Sequence, residues 1–352
     1  MKCTIQNIAD HLGLSRNTVS KALKNSSEVS ENTRNLVIKT ASKLGYKNAT
    51  FATPVIPASE TGSNGTILFL TRTYASDSEF WTTVLRGIES ILSNANYHLA
   101  ISIMSDSDLK QLNFPQTISD SSIKGIILVE ICDKVVCDAL SQFNLPIVSV
   151  DMPNVPFEEL NGIDVVTMES KKNLKKIINQ LIEKGAESFG FVGDLYSPDV
   201  SRGFQERYNA LSECLAEHQL PLNQKNCLLH QTPEDFRNFQ TTVNNLQAMI
   251  SLPDVFICGN DWTAIQLIYA LQFLGFQIPK DICVVGFDNI PAASRISPSL
   301  TTISTPQKYL GIAAARQILE RIQHPNCPHV FCQYETESVS YTHLTLPTNS
   351  RV

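Results

Sequence analysis

Apolar residues recur at helical spacing near the start of the chain. Ile5, Ile8, Ala9 and Leu12 fall on one side of a helix, and Thr4 is a suitable N-cap before it. A glycine at position 13 supplies the positive φ that lets the helix stop sharply. The pattern therefore predicts a short first helix that ends in a tight turn.

Two more helices are predicted after this turn. Ser15 caps the second helix, which turns Val19, Ala22 and Leu23 inward. Ser30 caps the third, whose apolar residues share one side and which ends before a glycine at position 45. Three helices with a tight turn between the first two are typical of a helix-turn-helix, whose second helix enters the major groove of DNA.

From residue 65 onward, short continuous apolar runs alternate with helical segments. Continuous runs are expected for parallel strands that are buried on both faces. The runs that predict strands cover 66–71, 97–104, 125–131 and 146–152 in a first set, and 164–168, 189–193, 255–258 and 282–287 in a second. Two such sets predict two doubly wound α/β lobes, with a crevice at the carboxyl ends of their strands.

Composition agrees with a globular protein of several domains. The chain has 352 residues, 43% of them apolar and 18% charged. No apolar run approaches the roughly 20 residues of a membrane span, and the first residues lack the layout of a secretory signal. We therefore expect a cytoplasmic protein without membrane contact, and the nine scattered cysteines indicate no disulfide framework.

Charge separates the predicted head from the rest of the chain. Residues 1–48 contain eight Lys or Arg and three Asp or Glu, a net charge of +5, whereas the whole chain carries −6. The remaining residues therefore carry −11. A basic module on an acidic body indicates that polyanion binding is confined to the head.

Polar side chains of the second helix could contact DNA bases. Arg16, Asn17, Ser20 and Lys21 lie away from its apolar stripe. Arg is suited to guanine and Asn to adenine through paired hydrogen bonds, and Lys21 could reach a base or a phosphate. The alternative is an ordinary solvated face on a small helical domain.

Two other classes of site were considered. His324, Cys327, His329 and Cys332 are able to bind metal, but their spacing is not that of known zinc sites and favours a surface turn that leads into a strand. The sequence contains no G-x-S-x-G, P-loop, H-E-x-x-H or G-x-G-x-x-G motif. We therefore expect no metal, no cofactor and no enzymatic activity.

The head closely resembles the DNA-binding domain of the LacI/GalR family of bacterial transcription regulators. The resemblance rests on Thr4-Ile5, Ile8-Ala9, Gly13-Leu14-Ser15, Thr18–Leu23, Val29-Ser30, Thr33-Arg34 and Leu44-Gly45-Tyr46. It implies that the DNA-contacting residues are Thr4, Ser15, Arg16, Asn17, Thr18, Ser20, Lys21, Asn32 and Tyr46. Hydroxyls, amides and backbone N–H groups at helix starts are suited to hold phosphates.

The body resembles the effector domain of the same family. Matching segments are 190–193, 206–211, 253–261, 275–282, 285–288 and 298–302. The resemblance covers roughly residues 2–48 and 65–335 and implies a periplasmic-binding-protein type I fold, with crossings between lobes near residues 163, 290 and 326. The expected organisation is a head at 1–48, a linker at 49–64, a first lobe at about 65–163 and 291–326, a second lobe at about 164–290 and 327–337, and a disordered tail at 338–352.

The linker departs from the family pattern. Family members form a short hinge helix there, and a leucine from each subunit wedges into the minor groove. Here Pro54 interrupts that position and no leucine occurs between residues 45 and 67. The hinge is therefore either a short extended segment or one in which Phe51 replaces the wedge.

The resemblance also implies an effector site in the crevice, formed by Phe80, Trp81, Glu130, Arg207, Asp261 and Asp288. Aromatic rings and forked Arg and Asp hydrogen bonds suit a sugar or a nucleobase. Structural alternatives remain for four of them, since Phe80 and Trp81 could belong to the core, Asp288 could cap a turn and Arg207 could pair with a helix neighbour.

Taken together, the sequence predicts a homodimeric repressor that binds operator DNA and responds to a small polar effector. One helix-turn-helix is too small for a tight specific complex, so dimerisation through the effector domain would pair two heads. Two alternatives are a sugar-binding transport or sensor protein with the same lobes, and an α/β enzyme tethered to DNA.

Overall fold

A computed structural model describes residues 4–23, 29–30, 33, 36–37, 40–41, 63–72, 78–195, 201–230 and 238–339. The chain divides into two compact units, residues 1–63 and 64–352. The linker 49–64, with the wedge candidate Phe51, lies outside the described residues except for Ser63 and Asn64.

The small unit begins with α1 (Ile5–Leu12) and α2 (Arg16–Leu23). A capping box starts α1, because the Thr4 hydroxyl accepts a hydrogen bond from the Asn7 amide at 3.3 Å while the Asn7 side chain accepts one from the Thr4 amide at 2.9 Å. Gly13 then adopts a φ of 64°, as the predicted sharp stop requires. The first two predicted helices are confirmed.

The apolar stripes of these helices meet in one small core, formed by Ile8, Ala9, Val19, Ala22, Val29, Val37 and Ala41. Positions 33, 36, 37, 40 and 41 have helical backbone, which agrees with the third predicted helix. Its predicted end at Gly45 lies outside the described residues. Burial of one face leaves the opposite face of α2 available to a partner.

The first lobe of the large unit is a six-stranded parallel sheet in the order β11-β5-β4-β3-β1-β2. The first five strands and three α-helices of this lobe are continuous in sequence. One more helix and one more strand join it after the chain has passed through the second lobe. The elements are β1 (Gly65–Thr71), α3 (Glu79–Asn94), β2 (Tyr97–Ile103), α4 (Asp106–Gln111), β3 (Ile123–Val129), α5 (Lys134–Ser141), β4 (Ile147–Ser149), β5 (Asp164–Met168), α10 (Gln307–Gln323) and β11 (Phe331–Tyr334).

Helices α3 and α10 pack with their backbones in contact. A Cβ atom on Gly87 would collide with the Lys308 carbonyl, and one on Gly311 would collide with the Val84 carbonyl. Any larger residue at either glycine would therefore push the helices apart. This close pair forms one cover of the first sheet, with Ile88, Leu310 and other apolar residues buried in the largest core cluster.

The second lobe is a four-stranded parallel sheet in the order β7-β6-β8-β9. A two-stranded antiparallel ribbon, β10-β12, continues it through bridges from Val285 to Thr301 and from Asp288 to Ser304. Its elements are α6 (Lys172–Glu183), β6 (Phe189–Asp194), α7 (Arg202–Glu217), β7 (Leu228–His230), α8 (Phe239–Ala248), β8 (Val255–Cys258), α9 (Asp261–Phe273), β9 (Cys283–Val285), β10 (Thr302–Ser304) and β12 (Glu337–Val339).

The predicted lobe boundaries are corrected at three places. Strand 164–168 lies in the first sheet, where β5 pairs with both β4 and β11, and 331–334 accompanies it there rather than joining the second lobe. Residues 301–304 pair with the second sheet although 291–326 was assigned to the first lobe. The crossings therefore fall after Met168, between Ser304 and Gln307, and between Tyr334 and Glu337. An apolar run predicts a strand but not the sheet that it joins.

Two remaining expectations concern the end of the chain and the membrane. The prediction of a disordered tail from residue 338 onward is wrong for Ser338 and Val339, because both pair with β10 in the ribbon. Residues 340–352 lie outside the described residues. Within the described ranges, no helix has the length and apolar character needed to cross a membrane, and the eight cysteines described there are free.

Candidate nucleic-acid interface and ligand cleft

The exposed face of α2 carries the predicted base-contacting side chains. Arg16 and Asn17 are exposed, whereas Ser20 and Lys21 are half-buried beside them, and Val19 turns into the core. The burial pattern thus places these four polar residues on the surface that a major groove would meet. Asn32, predicted at the start of the third helix, and Tyr46, predicted after its end, lie outside the described residues.

Hydroxyl caps begin the helices of the head. The Ser15 hydroxyl accepts a hydrogen bond from the Thr18 amide at 3.0 Å and lies 2.8 Å from the Thr18 hydroxyl. Ser30 and Thr33 repeat this arrangement, with their hydroxyls 2.8 Å apart. The caps of Thr4, Ser15 and Ser30 therefore order the amino ends of helices, where the backbone dipole favours a phosphate.

In the large unit, a hydrogen bond connects Trp81 with Glu130 in the first lobe. It lies in the first turn of α3, and its indole N–H donates to the Glu130 carboxylate. Glu130 directly follows β3 and adopts a φ of 59°, an uncommon conformation for a residue with a side chain. Phe80 is 8% exposed and contacts Trp81 edge-on at 4.6 Å between ring centroids, so its position fits the core alternative, while Trp81 is half-buried.

Arg207 is the buried cation of the second lobe. Its guanidinium carbon lies 3.7 Å from the centroid of the Phe287 ring, and its Nη1 donates to the Gly259 carbonyl at 2.6 Å. Its Nε is buried and has no hydrogen-bond partner in the described chain. Arg207 does contact a neighbour on its own helix, the Phe204 ring at 5.1 Å, but its contacts with Gly259 and Phe287 lie outside that helix, so it does not pair with a helix neighbour only.

Asp288 lies in the loop after β9 and interacts electrostatically with this guanidinium. It is 8% exposed and has a φ of 120°. Its backbone holds that conformation, since its carbonyl accepts from the Gln307 side chain at 2.6 Å and from the Thr305 hydroxyl at 3.1 Å. Burial raises the pKa of the Asp288 carboxyl well above its ordinary value, although the charge of Arg207 opposes the shift.

Asp261 has a structural role instead of the predicted ligand contact. Its carboxylate accepts a hydrogen bond from the Thr302 hydroxyl at 2.5 Å and one from the Ile290 amide at 2.9 Å, and the residue is fully buried. Both oxygens are thus used to tie β10 and the preceding loop to α9. Burial raises the pKa of Asp261 to about 6. Its assignment to the ligand site is therefore corrected.

Asp151 is the functional candidate that the sequence analysis missed. It follows β4 at the same sheet edge as Glu130, and that position after a strand was the signal that could have found it. Its carboxylate accepts from the Ser201 hydroxyl at 2.7 Å and from the Met152 amide at 2.7 Å. Burial raises the pKa of Asp151. A carboxylate of the first lobe thus reaches the start of α7 in the second.

The metal-capable side chains at positions 324–332 lie around the turn that leads into β11. His329 Nδ1 lies 3.2 Å from Asp164 Oδ1, and the same carboxylate pairs with Arg321 at 2.8 Å. In the parts of the chain that the structure describes, no group of three His, Cys, Asp or Glu side chains is arranged to hold a metal ion. Two of these residues contact the buried Arg321–Asp164 ion pair, His329 through its ring and Cys327 through its carbonyl, which accepts from Arg321.

Comparison with known families decides between the classes of protein. The sequence model for bacterial regulatory proteins of the lacI family matches residues 4–48, and a periplasmic binding protein-like domain matches residues 178–337. The chain belongs to the lacI family. The head and the two-lobed body of this lacI-family regulator are therefore those that the sequence resemblance implied.

Relatives match this lacI-family chain along most of its length. The ribose operon repressor of Haemophilus influenzae is 27% identical over 327 residues, 92% of this chain and 93% of the relative. Catabolite control protein A of Staphylococcus xylosus is 27% identical, over 94% and 97%. The repressor PurR of Photobacterium profundum is 26% identical, over 92% and 93%. These relatives are regulators and not enzymes or transport proteins.

Solved structures agree on the fold. The lac repressor dimer bound to operator and the anti-inducer ONPF has a TM-score of 0.64 at 18% identity, covering 97% of this chain and 98% of that one. The transcriptional regulator CelR with cellobiose has a TM-score of 0.67 at 19% identity, covering 96% and 99%. A LacI family regulator of Enterococcus faecium with bound ribose has a TM-score of 0.64 at 23% identity, covering 78% and 97%.

Proposed function

We propose that this protein is a homodimeric, cytoplasmic repressor that binds a two-fold symmetric operator and responds to a small polar effector in the cleft between its lobes. The observation that carries the effector part is Arg207, which is buried and stacked on Phe287, and whose Nε has no hydrogen-bond partner among the described residues. A buried donor without an acceptor is costly unless a ligand supplies one.

The DNA part is supported by the exposed polar face of α2 on a basic head. Arg16 and Asn17 are exposed side by side at its amino end. Their side chains can each form paired hydrogen bonds to one base, which gives about 1–3 kcal/mol of discrimination per contact. Asn32 and Tyr46 are proposed as additional contacts from the sequence alone.

The dimer is supported by an apolar surface on the second lobe. Trp262, Tyr269 and Phe273 of α9 are 37%, 43% and 68% exposed, and the Phe239 ring lies against Phe273 at 5.8 Å between centroids. A helix that is apolar on every side is usually covered. A second copy of this chain would bury this surface and pair two heads on two half-sites.

The coupling between ligand and DNA follows from which lobe holds each contact. Trp81 and Glu130 belong to the first lobe, whereas Arg207 and Asp288 belong to the second. A ligand that touches both sets stabilises one arrangement of the lobes over others. Since coupling between two sites is reciprocal, operator DNA must change effector affinity by the same factor that the effector changes operator affinity.

The deciding experiment is selection of bound duplexes from a random library with the full-length protein, followed by a salt titration of the winners. We expect a two-fold symmetric motif whose affinity falls steeply with salt, because both heads displace counterions from phosphates. The Arg16→Ala protein serves as the control and should lose the preference at one position of each half-site. Absence of an enriched motif, or a motif with a single half-site, would contradict the proposal.

A further inference from the structure

The two lobes are joined at a contact that buries a carboxylate. The Asp151 carboxylate of the first lobe accepts from the Ser201 hydroxyl of the second at 2.7 Å, and the Arg202 amide donates to the Met152 carbonyl at 3.0 Å. Pro153 and Ser201 also form an isolated antiparallel bridge. The Arg202 amide begins α7, where a helix offers no acceptor of its own. Its hydrogen bond therefore exists only in the arrangement in which the lobes meet, the closed arrangement.

The buried Arg207 guanidinium lies next to this contact. A Cβ atom on Gly203 would lie 3.5 Å from the Ser201 hydroxyl oxygen and 3.3 Å from Nη2 of Arg207, so both groups border the same glycine. On its other side the guanidinium carbon lies 3.7 Å from the centroid of the Phe287 ring, and Asp288 is the next residue in the chain. The lobe contact, the cation and Asp288 thus belong to one cluster that spans both lobes.

The acids of this cluster outnumber its cation. Four carboxyl groups act electrostatically on the guanidinium, those of Asp288, Asp151, Glu206 and Asp261. Glu206 is already paired with Arg202 at 2.8 Å. Asp261 accepts hydrogen bonds from Thr302 and Ile290 inside the second lobe. Two buried carboxyl groups, those of Asp151 and Asp288, therefore share one guanidinium.

The other titratable groups on the first-lobe side of Asp151 supply no free positive charge. Burial raises the pKa of the Cys132 thiol well above its ordinary value, so this neighbour stays neutral. Glu130, which also acts on Cys132, adds a further acid. Arg72 acts there as well, but it pairs with Asp106 at 2.6 Å.

This imbalance links closure to proton binding. Separation of the lobes lets water reach Asp151, whereas closure buries it near Asp288, where two negative charges repel each other in a poorly solvated space. In the closed arrangement burial raises the pKa of Asp151, and it raises the pKa of Asp288 well above its ordinary value of 3.8. A group with a higher pKa in the closed arrangement favours closure fully below its ordinary pKa. This contribution is lost as the pH rises through the closed-state pKa.

We propose that closure of the two lobes is coupled to binding of a proton that Asp151 and Asp288 share, so that a lower pH favours the closed arrangement even when no effector is bound. The proposal concerns the lobe contact itself. Only its consequence for operator DNA rests on the proposed function.

Hydrogen exchange of the Arg202 amide tests the proposal in the full-length protein without ligand. Mass spectrometry with electron-transfer fragmentation follows this amide at about pH 5 and about pH 8, with correction for its intrinsic exchange rate. We expect its protection to fall at least about fivefold at the higher pH, because a proton is lost from the cluster. The Gln205 amide, which bonds the Ser201 carbonyl within α7 at 3.2 Å, is the internal reference. Equal protection of Arg202 at both pH values, or greater protection at the higher one, would overturn the proposal.

Neutral variants identify the carboxyl groups responsible. Asp288→Asn and Asp151→Asn each leave one acid for Arg207, so the protection of Arg202 should become nearly independent of pH in both. Asp261→Asn is the matched control within the second lobe, and Glu187→Gln is the control for overall charge, since Glu187 is exposed. Both controls should keep the pH dependence of the unmodified protein. A control that loses it, or an unchanged dependence in both Asp288→Asn and Asp151→Asn, would overturn the assignment.

Operator affinity without ligand gives a second measurement. The difference in pH dependence between the unmodified protein and Asp288→Asn cancels any titration of the head, and we expect it to reach about threefold or more between the two pH values. A pH-dependent lobe contact without this difference would retain the proton linkage and refute the coupling between lobes and DNA in the proposed function. A pH-independent contact in a protein that binds its operator and responds to an effector would refute the proton linkage alone.

Discussion

The Asp151 carboxylate accepts a hydrogen bond from the Ser201 hydroxyl at 2.7 Å, and this contact joins the two lobes. The backbone reinforces it, because the Arg202 amide donates to the Met152 carbonyl at 3.0 Å. The end of β4 in the first lobe is thereby attached to the start of α7 in the second. A ligand that competes for Asp151 would act on the same contact that sets the distance between the lobes.

Replacing Ser201 with alanine should weaken this lobe contact without unfolding the protein. Loss of one hydrogen bond to a carboxylate costs about 1.5–3 kcal/mol locally, so the Arg202 amide should exchange with solvent at least about tenfold faster. Hydrogen exchange followed by mass spectrometry on peptides from 201 to 206 measures this. Ser141→Ala is the control, because Ser141 bonds only within its own helix at 2.7 Å, and unchanged exchange near Arg202 would argue against a lobe-joining role.

The buried carboxyl of Asp261 should make folding pH-dependent. Its pKa is raised to about 6 in the folded protein from an ordinary value of 3.8, so the folded state binds the proton more tightly than the unfolded state. Its favourable contribution is fully present below about pH 4 and is lost as the pH rises through 6, by about 3 kcal/mol in all.

The Asp261→Asn protein tests this dependence. An amide can accept from the Ile290 amide and donate to the Thr302 hydroxyl, so the variant should fold, and its stability should vary less with pH. Denaturant unfolding of both proteins at pH 4 and pH 7 gives the comparison. A wild-type protein that loses no more stability than the variant between these two values would show that Asp261 ionises normally.

Arg321 should be a major source of stability in the first lobe. It is 5% exposed, its Nη2 and Nε bond to Asp164 at 2.8 and 3.0 Å, and its Nη2 also donates to the Pro328 carbonyl at 2.8 Å. Arg321→Ala leaves the buried Asp164 charge uncompensated and should destabilise by about 3–5 kcal/mol. The free energy of unfolding of both variants is measured by urea titration. Arg316→Ala, at an exposed position of the same helix, should lower it by less than about 1 kcal/mol.

Arg207→Lys should abolish the ligand response while sparing DNA binding. Lysine keeps the charge but loses the planar stack on Phe287 and the fork that bonds Gly259. The expected result is normal affinity for the selected operator and no release by a small polar ligand that releases the unmodified protein, measured by fluorescence anisotropy. Arg316→Lys, at an exposed position of α10, provides the comparison. A normal response in Arg207→Lys would place the ligand elsewhere.

Substitutions on α2 should change sequence preference more than overall affinity. Arg16→Ala and Asn17→Ala should each cost about 1–3 kcal/mol at one base position and relax specificity there. Gln6→Ala on α1 is the control, because Gln6 bonds Asp10 on its own helix at 2.7 Å. Unchanged base preference in both α2 variants would mean that another surface reads the operator.

The local pattern of the sequence predicted the elements better than their assembly. The apolar run at 164–168 was correctly predicted as a strand, but it joins the first sheet because its neighbours in space, β4 and β11, come from distant parts of the chain. Likewise, the run at 301–304 has no periodicity that reveals its pairing with Val339. Sheet membership depends on long-range contacts, which spacing alone does not encode.

The site residues were likewise predicted only in part. Arg207, Glu130 and Asp288 were placed at the cleft from their positions after strands or on a helix matched to the family. Asp261 occupies an equivalent position, yet Thr302 and Ile290 satisfy its carboxylate, and both partners come from a segment about 30–40 residues away. Asp151 was missed because its partner Ser201 belongs to the other lobe. Only the folded arrangement distinguishes an acid that supports the backbone from one that faces the ligand.

Gly87 and Gly311 give the first lobe a mechanical property. Where two helices touch backbone to backbone, no long side chains lie between them to rearrange and absorb a displacement. Such a helix pair is expected to move as one rigid unit, so that a displacement at one end is transmitted to the other end. Relative movement of the two lobes is therefore expected at their three crossings, and a lengthened crossing should blunt the response to ligand.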